Sequence, residues 1–510
     1  MVRKDCPVMM PVIIEAAVVL YCILVCSAAS FASDGEKDKP LFFETKITSS
    51  PPRDARLANL TLRDCLDIAL ANNHSRAVSR LGIQIAEAQH RQATSAWWPQ
   101  VGIKAAYSVM DEDPNFIFPA KTMSMPASTI VATTPLGPIS IQVPASSYEI
   151  PEQNVKLMDR KNFHATLNAI LPLYTGGRID AVARQSEQGI RAAREEARRT
   201  DLQLNYDVTR YYFGAVLAEE LLRIGREALS RMELTLELTG NLYTKGSGKV
   251  KKTDYLRNKT VVEGLRSAVA ALEGNEQLAK AALTNTMGIA WDTPIKLAHG
   301  GLPFAPVQAG LPDLVAGVYH FNPDWARLEA GLKAAEAKID EARSGHLPSI
   351  GLFGTLSRIE NSYDKGIVTP QNRNSWMVGI GIELPLFNGM RTVGEVREAK
   401  ARFESLKEKQ ILLKEGLALQ VKHIFIKMMS SQAQKASSES AAISSQENRE
   451  LNERAYMEEL VETKDVIEAQ LVESLMKAQY QKALYDHIEA RANLEFVVGK
   501  EITDLMKSIH

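Results

Sequence analysis

Proline is missing where a long chain ordinarily carries it. None occurs between Pro172 and Pro294 and none follows Pro385, whereas seven fall from Pro114 to Pro151. A proline inside a helix costs about 3 kcal/mol, so such long tracts without one, rich in Ala, Leu, Glu, Gln, Lys and Arg, predict helix. The proline-dense stretch predicts an irregular loop. Cysteine is scarce too: only Cys6, Cys22, Cys26 and Cys65 occur. The first three fall in a segment that reads as a removable leader, leaving Cys65 with no internal disulfide to make, so packing and assembly must supply the stability. Nor is there a surplus of charge, with 60 Lys and Arg against 61 Asp and Glu and a net charge of -1. Nucleic-acid binding needs a basic surplus and an aromatic-basic surface, and the balance argues against it.

Catalytic motifs are missing as well. The nine histidines show no HExxH or other ligand spacing, no nucleophile elbow occurs, and Gly246-Ser247-Gly248-Lys249 lacks the spacing of a phosphate-binding loop. His74, His164 and His346 are isolated and read as surface or satisfied side chains. The expectation is a protein that is not an enzyme and that holds no cofactor and no metal.

What the chain does contain, it contains twice. Asn73, Ala86-Glu87-Ala88 and Pro99 recur as Asn322, Ala335-Glu336-Ala337 and Pro348, a shift of 249. Leu171-Pro172-Leu173-Tyr174-Thr175-Gly176-Gly177-Arg178 returns as Leu384-Pro385-Leu386-Phe387-Asn388-Gly389-Met390-Arg391, a shift of 213, and Asp254 and Gly288 match Asp465 and Gly499 at 211. A duplicated fold follows, each half one unit that interlocks with the other. The falling shift puts 36 extra residues (249 less 213) between Pro99 and Pro172, and two more between Tyr243 and Asp254.

As helix, Arg178 to Thr244 would extend on the order of 100 Å at 1.5 Å per residue, beyond any ordinary globular core. Shorter helices, Thr61 to Ala96 and Asp254 to Met287, flank it and together nearly equal its length, as they would if stacked end to end beside it. The second half repeats this with Arg391 to Tyr456 long, and Pro323 to Leu347 and Asp465 to Val498 short. Ile467, Leu471, Leu475, Ala478, Tyr485, Ile488 and Ala492 step at three, four or seven and predict a buried stripe.

Strands lie between the helices. Val101, Ile103, Ala105, Tyr107 and Val109 alternate with small or polar residues, as do Phe163, Ala165, Leu167, Ala169 and Leu171, then Ile350, Leu352, Gly354 and Leu356, then Trp376, Val378, Ile380, Ile382 and Leu384. Period-two patterning over about ten residues fits an outer-membrane strand and equally a half-buried soluble sheet. The leader and the helix length favour the membrane. Four strands cannot close a barrel, and an open edge cannot sit in hydrocarbon, so cyclic assembly is required; a trimer gives about twelve strands. Trp97, Trp98 and Trp376 lie beside these strands as interfacial anchors or as packing residues.

At the N-terminus, Arg3 and Lys4 precede an apolar run from Ala16 to Val25 and small residues at Ser30-Phe31-Ala32, the pattern of a secretory signal. Cys22 and Cys26 raise lipid attachment, but bulky Tyr21 and Val25 precede them. The expected domains are a signal peptide at 1–32, a linker at 33–59, a first repeat at 60–301, a second at 302–500 and a tail at 501–510.

The opening Leu60-Thr61-Leu62-Arg63-Asp64-Cys65-Leu66-Asp67-Ile68-Ala69-Leu70-Ala71-Asn72-Asn73, with Ala86-Glu87-Ala88, Trp98-Pro99-Gln100-Val101 and the duplicated Leu-Pro-Leu run, resembles the outer-membrane efflux protein family of TolC-like channels from about residue 60 to 500. The resemblance implies a mainly helical fold with membrane strands: a homotrimer whose 12-stranded barrel lies in outer-membrane lipid of a Gram-negative bacterium and continues into a long α-helical barrel in the periplasm. It implies a passive exit duct docked on a periplasmic adaptor and an inner-membrane pump, with Pro172, Gly176, Gly177, Pro385 and Gly389 at the strand-to-helix junctions. By the same resemblance, Asp465 and Glu468 form a pore constriction and Asp254 and Tyr456 a tip closure, while Gly246, Leu460, Val461 and Thr463 meet the adaptor. Asp465 also fits a helix cap. Two departures stand out: Glu459 replaces a tip glycine, and the first tip carries Lys249, Lys251 and Lys252 with no Leu-Val pair. Ser108 to Asn162 is expected outside the cell, as a functional loop or a tolerated insertion. The competing class is a soluble periplasmic helical scaffold or adaptor. Drug, metal and protein export remain equally open as the task.

Overall fold

The computed structural model describes residues 58–245, 250–298, 300–458, 460–502 and 504. The expected leader, most of the 33–59 linker, Gly246, Glu459 and most of the 501–510 tail lie outside the described residues. The chain from Ala58 onward forms one unit.

Each half opens with a broken helix: α1 (Leu62–Asn72) and α2 (His74–Thr94). The single helix expected from Thr61 to Ala96 is therefore two, because Asn73 is extended (φ -67°, ψ 125°) and its side-chain oxygen accepts the Ser75 N–H at 2.8 Å. This side-chain acceptor satisfies one of the helix-start donors that the break leaves free. Strand β1 (Gln100–Val109) follows. The proline-dense segment is then not irregular: it holds β2 (Asn115–Phe118), β3 (Lys121–Met125), β4 (Ser128–Thr134), β5 (Gly137–Val143), β6 (Ser146–Ile150) and β7 (Gln153–Lys156), paired β2 with β7, β3 with β6 and β4 with β5. Pro119 and Pro151 fall in one gap between rungs and Pro126 and Pro144 in the next. Lacking N–H groups, the prolines interrupt the ladder without ending it.

After β8 (Lys161–Tyr174) comes α3 (Arg178–Thr244), 67 residues as expected, and α4 (Lys252–Thr286). The second half contributes α5 (Leu311–Phe321), α6 (Pro323–Ser344), β9 (Ser349–Asn361), β10 (Asn374–Glu383), α7 (Arg391–Met457), again 67 residues, and α8 (Thr463–Val498).

The main sheet has the antiparallel order β1-β8-β9-β10. Its register sets Ile103 opposite Leu167, Leu167 opposite Leu356, and Leu356 opposite Trp376, so all four alternating apolar runs share one face. That face is bare: Ile103, Trp376 and Ile382 are each at least 70% exposed. The other face is polar. His164 lies 3.0 Å from Ser357 Oγ, and Thr355 donates to Asn168 at 3.2 Å. Phe353 lies on the polar face over Gly379, where a Cβ would come within 2.7 Å of its ring. Within this chain the outer edges of β1 and β10 have no neighbour in the sheet.

The helices form a row in two tiers. Nearer the sheet, α2, α3, α6 and α7 pack in that order; farther away, α4, α3, α8 and α7 do so. The short helices meet end to end at the two asparagines. Asn73 Nδ2 donates to Thr286 O at 2.9 Å, and Asn322 Nδ2 donates to Val497 O at 2.7 Å. Gly288 (φ +72°) and Gly499 (φ +83°) complete these joints, where a Cβ would lie 2.6 Å from Asn72 O and 2.2 Å from Phe321 O. Repeat markers more than 170 residues apart in sequence thus touch in space.

The core of the second half joins Leu314 and Val318 of α5, Leu417, Val421, Ile424 and Met428 of α7, and Leu494, Val497 and Val498 of α8. Each such side chain contributes about 1.5–3 kcal/mol by leaving water. The stripe expected on α8 is only partly core. Ile467 and Ala492 are buried, but Leu475 is exposed and Glu473 takes a fully buried position beside it. Both flanks of the row carry bare apolar stripes: Val78, Leu81 and Ile85 on α2, and Leu412, Leu419 and Ile426 on α7. Among the described residues no helix is long and apolar enough to cross a membrane.

Candidate gate at the helical tip

Where each strand becomes a helix, the chain turns through left-handed backbone. Gly176 and Gly177 do so at φ +62° and +80°, and Gly389 and Met390 at φ +66° each. At Gly176 glycine is obligatory, since a Cβ would come within 2.7 Å of Leu347 Cβ. Pro172, which cannot donate to the ladder, coincides with a register shift in β8. Pro385 lies just past the end of β10. These turns aim the long helices away from the sheet, and the helices carry the tip at their far ends.

At that tip the four helices are tied at one level. Tyr456 of α7, only 5% exposed, places its hydroxyl 3.1 Å from Thr239 Oγ1 on α3 and 3.1 Å from Thr463 Oγ1 at the start of α8. Thr239 donates to Thr235 O at 2.6 Å, and Asn258 of α4 donates to Thr239 Oγ1 at 3.4 Å. Higher on α8, Gln470 donates to Thr235 Oγ1 at 3.1 Å and to Glu453 Oε1 at 2.8 Å. Beyond it, Glu473 is fully buried and faces Lys477 at 2.8 Å, Arg449 at 3.1 Å and Arg231 at 3.5 Å. Burial pushes its carboxyl up, but the three cations outweigh that and hold it below the usual carboxylate range.

The residues expected here separate into two groups. Tyr456 is in the network, as is Thr463, which was expected to face an adaptor but is buried against Tyr456. Asp254, expected to work with Tyr456, caps α4 by accepting the Lys251 N–H at 3.0 Å, with Arg257 4.0 Å away. Asp465 caps α8 likewise, accepting the Glu462 N–H at 3.1 Å, while Glu468 one turn on is exposed. Leu460 is 72% exposed and Val461 half-buried. Thr239, Asn258, Gln470 and Glu473 escaped the sequence reading. Their signal was a polar side chain at a helical position where the apolar stripe should continue.

No three His, Cys, Asp or Glu side chains among the described residues are placed to hold a metal ion. Burial pushes the Cys65 thiol up to about 12, so it is a core residue without reactivity.

A duplicated pair of strands and helical hairpins, with an amphipathic sheet at one end and a polar network at the other, defines a channel-tunnel protomer. The outer membrane efflux protein family matches residues 139–289 and 320–500, one stretch in each repeat, and the chain belongs to that family. It is 29% identical to the probable outer membrane lipoprotein SilC of Salmonella typhimurium over 226 residues, 44% of this chain and 48% of that one. It is 28% identical to the cation efflux system protein CusC of Escherichia coli over 244 residues, 48% of this chain and 52% of that one. The chain thus spans about half the length of the curated relatives it matches. The outer membrane protein VceC of Vibrio cholerae shares the fold, with a TM-score of 0.68 at 16% identity over 86% of this chain and 96% of that one.

Proposed function

We propose that the protein is the outer-membrane exit duct of a tripartite efflux system, a passive channel that continues a periplasmic adaptor and an inner-membrane pump. The observation that carries this reading is the main sheet: apolar on one face, polar on the other, and unpaired at both edges. In hydrocarbon such edges must be paired, and no strand of the same sheet remains to do it. The two flanks differ, with α2, α4 and β1 on one side and α7 and β10 on the other. An interface between unlike flanks joins copies head to tail and closes into a ring. Three copies give a barrel of about twelve strands, polar face inward, and bring the bare α2 and α7 stripes together.

In this assembly the tip is the gate. The Tyr456 network holds α3, α4, α7 and α8 together, and a ring of Asp465 and Glu468 from three copies draws cations toward the opening. Leu460 and Val461, with Gly246, meet the adaptor. The relatives named for cation efflux favour a small cationic cargo, with the choice of cargo left to the pump. Two measurements test the duct together. The protein should resist carbonate extraction from outer membranes and should conduct in a planar bilayer; a protein that washes off and conducts nothing is the scaffold instead.

A further inference from the structure

The polar face of the main sheet carries little charge. Among the residues of its four strands, Lys161, Arg358 and Glu360 fall on the apolar face by register, and Lys104 and Glu383 are the Lys, Arg, Asp or Glu residues on the polar one. These two are far apart. Lys104 pairs with Thr166, Thr166 with Ser357 and Ser357 with Ser375, so the row around the ammonium group holds no carboxylate. Glu383 lies eight residues beyond Ser375 on β10 (383 less 375), about 26 Å along the strand at about 3.3 Å per residue, where the sheet gives way to α7.

Much of the rest of that face stays close to the sheet. Glycine or alanine stands at Gly102, Ala106, Gly351, Gly379 and Gly381, and the Phe353 ring lies across two of them: a Cβ would be 2.7 Å from it at Gly379 and 3.7 Å at Gly381. His164, the diagonal neighbour of Lys104, is held by the Ser357 hydroxyl at 3.0 Å and the Thr166 hydroxyl at 2.8 Å. Lys104 is exposed, and its four-carbon stem carries a compact point charge out from this low surface. With the polar face turned inward, three copies set three such charges at one level of the barrel. Rings of Lys favour anions as rings of Asp or Glu favour cations. We infer that Lys104 is a selectivity site for small anions in the barrel lumen, opposite in sign to the carboxylates of the tip. A cation that has left through the barrel meets this ring before it can return. The inference rests on the duct proposed above.

Reversal potentials of the full chain in a planar bilayer, under a gradient of dilute potassium chloride, test it, because fixed charges act over about 30 Å at about 0.01 M salt. Lys104→Gln should shift the potential toward that of potassium, and Lys104→Arg should keep the parent value. Lys104→Cys should behave as the glutamine variant until a cationic methanethiosulfonate returns it to the parent value, and an anionic one should drive it further from that value. Cys65 is buried, so the parent chain treated alike gives the background. A conducting Lys104→Gln channel with the parent's reversal potential overturns the site and leaves the duct standing. A Lys104→Cys thiol that reacts with neither reagent while its channel conducts does the same, by placing residue 104 outside the lumen. A parent chain that conducts nothing overturns the duct, and the site with it.

Discussion

Asn322 donates its side-chain amide to the Val497 carbonyl at 2.7 Å and accepts the Trp325 N–H at 2.9 Å, so one buried residue starts α6 and closes the end of α8. Asn73 occupies the same place in the first half. Through these two joints the short helices together match the span of the long ones.

Removing that residue leaves a buried carbonyl and a helix start without partners. Asn322→Ala should cost about 2–3 kcal/mol, from a lost cap and an unsatisfied acceptor. Gly499→Ala should cost at least as much, since its Cβ would lie 2.2 Å from Phe321 O at a backbone φ of +83°. Thermal unfolding of the detergent complex reads both, and Gly264→Ala, with open space around it inside α4, is the control, expected to stabilise by about 0.5–1 kcal/mol.

Glu473 makes the tip tier pH-dependent. Its folded pKa is depressed, so its stabilisation is present above the unfolded value of about 4.3 and is lost as pH falls through the lower folded value. Glu473→Gln should destabilise by about 3 kcal/mol, the lower end for a broken buried pair because its three partners are partly exposed. The variant should also flatten the acid limb of the stability profile. An acid limb identical to that of the parent would assign it to other carboxylates.

Tyr456→Phe removes the hydroxyl that bridges Thr239 and Thr463 and leaves the ring in place. The loss should be about 1–2 kcal/mol of tip cohesion, seen in planar bilayers as a higher open probability with the assembly intact. An unchanged open probability would place closure elsewhere.

Asp465→Asn with Glu468→Gln should lower cation selectivity and relieve block by multivalent cations. Asn can still accept the Glu462 N–H, so the cap of α8 survives and the charge alone is tested. If both properties stay as they were, Asp465 is a cap and nothing more.

Much of this architecture was legible beforehand for identifiable reasons. Proline-free tracts marked α3 and α7 almost to the residue, because proline is the most costly interruption a helix can suffer. Strict alternation put Ile103, Leu167, Leu352 and Ile380 on one sheet face, since a one-residue slip would invert every side chain. The ribbon of β2 to β7 was missed because a dense run of prolines was taken to mean an irregular loop. Pro119 with Pro151, and Pro126 with Pro144, interrupt both strands at the same level and leave the rungs between intact. Asn73 was read as a repeat marker while its role as a cap went unnoticed. Glu473 was hidden because the charges that satisfy it come from α3 and α7, far away in sequence.

The mass of the detergent-solubilised complex tests the central claim most directly, because an unpaired β1 and an unpaired β10 have no other lasting remedy in a membrane. The account predicts three chains in one complex that stays folded and conducting. A monodisperse, folded single chain with the same β content would contradict it.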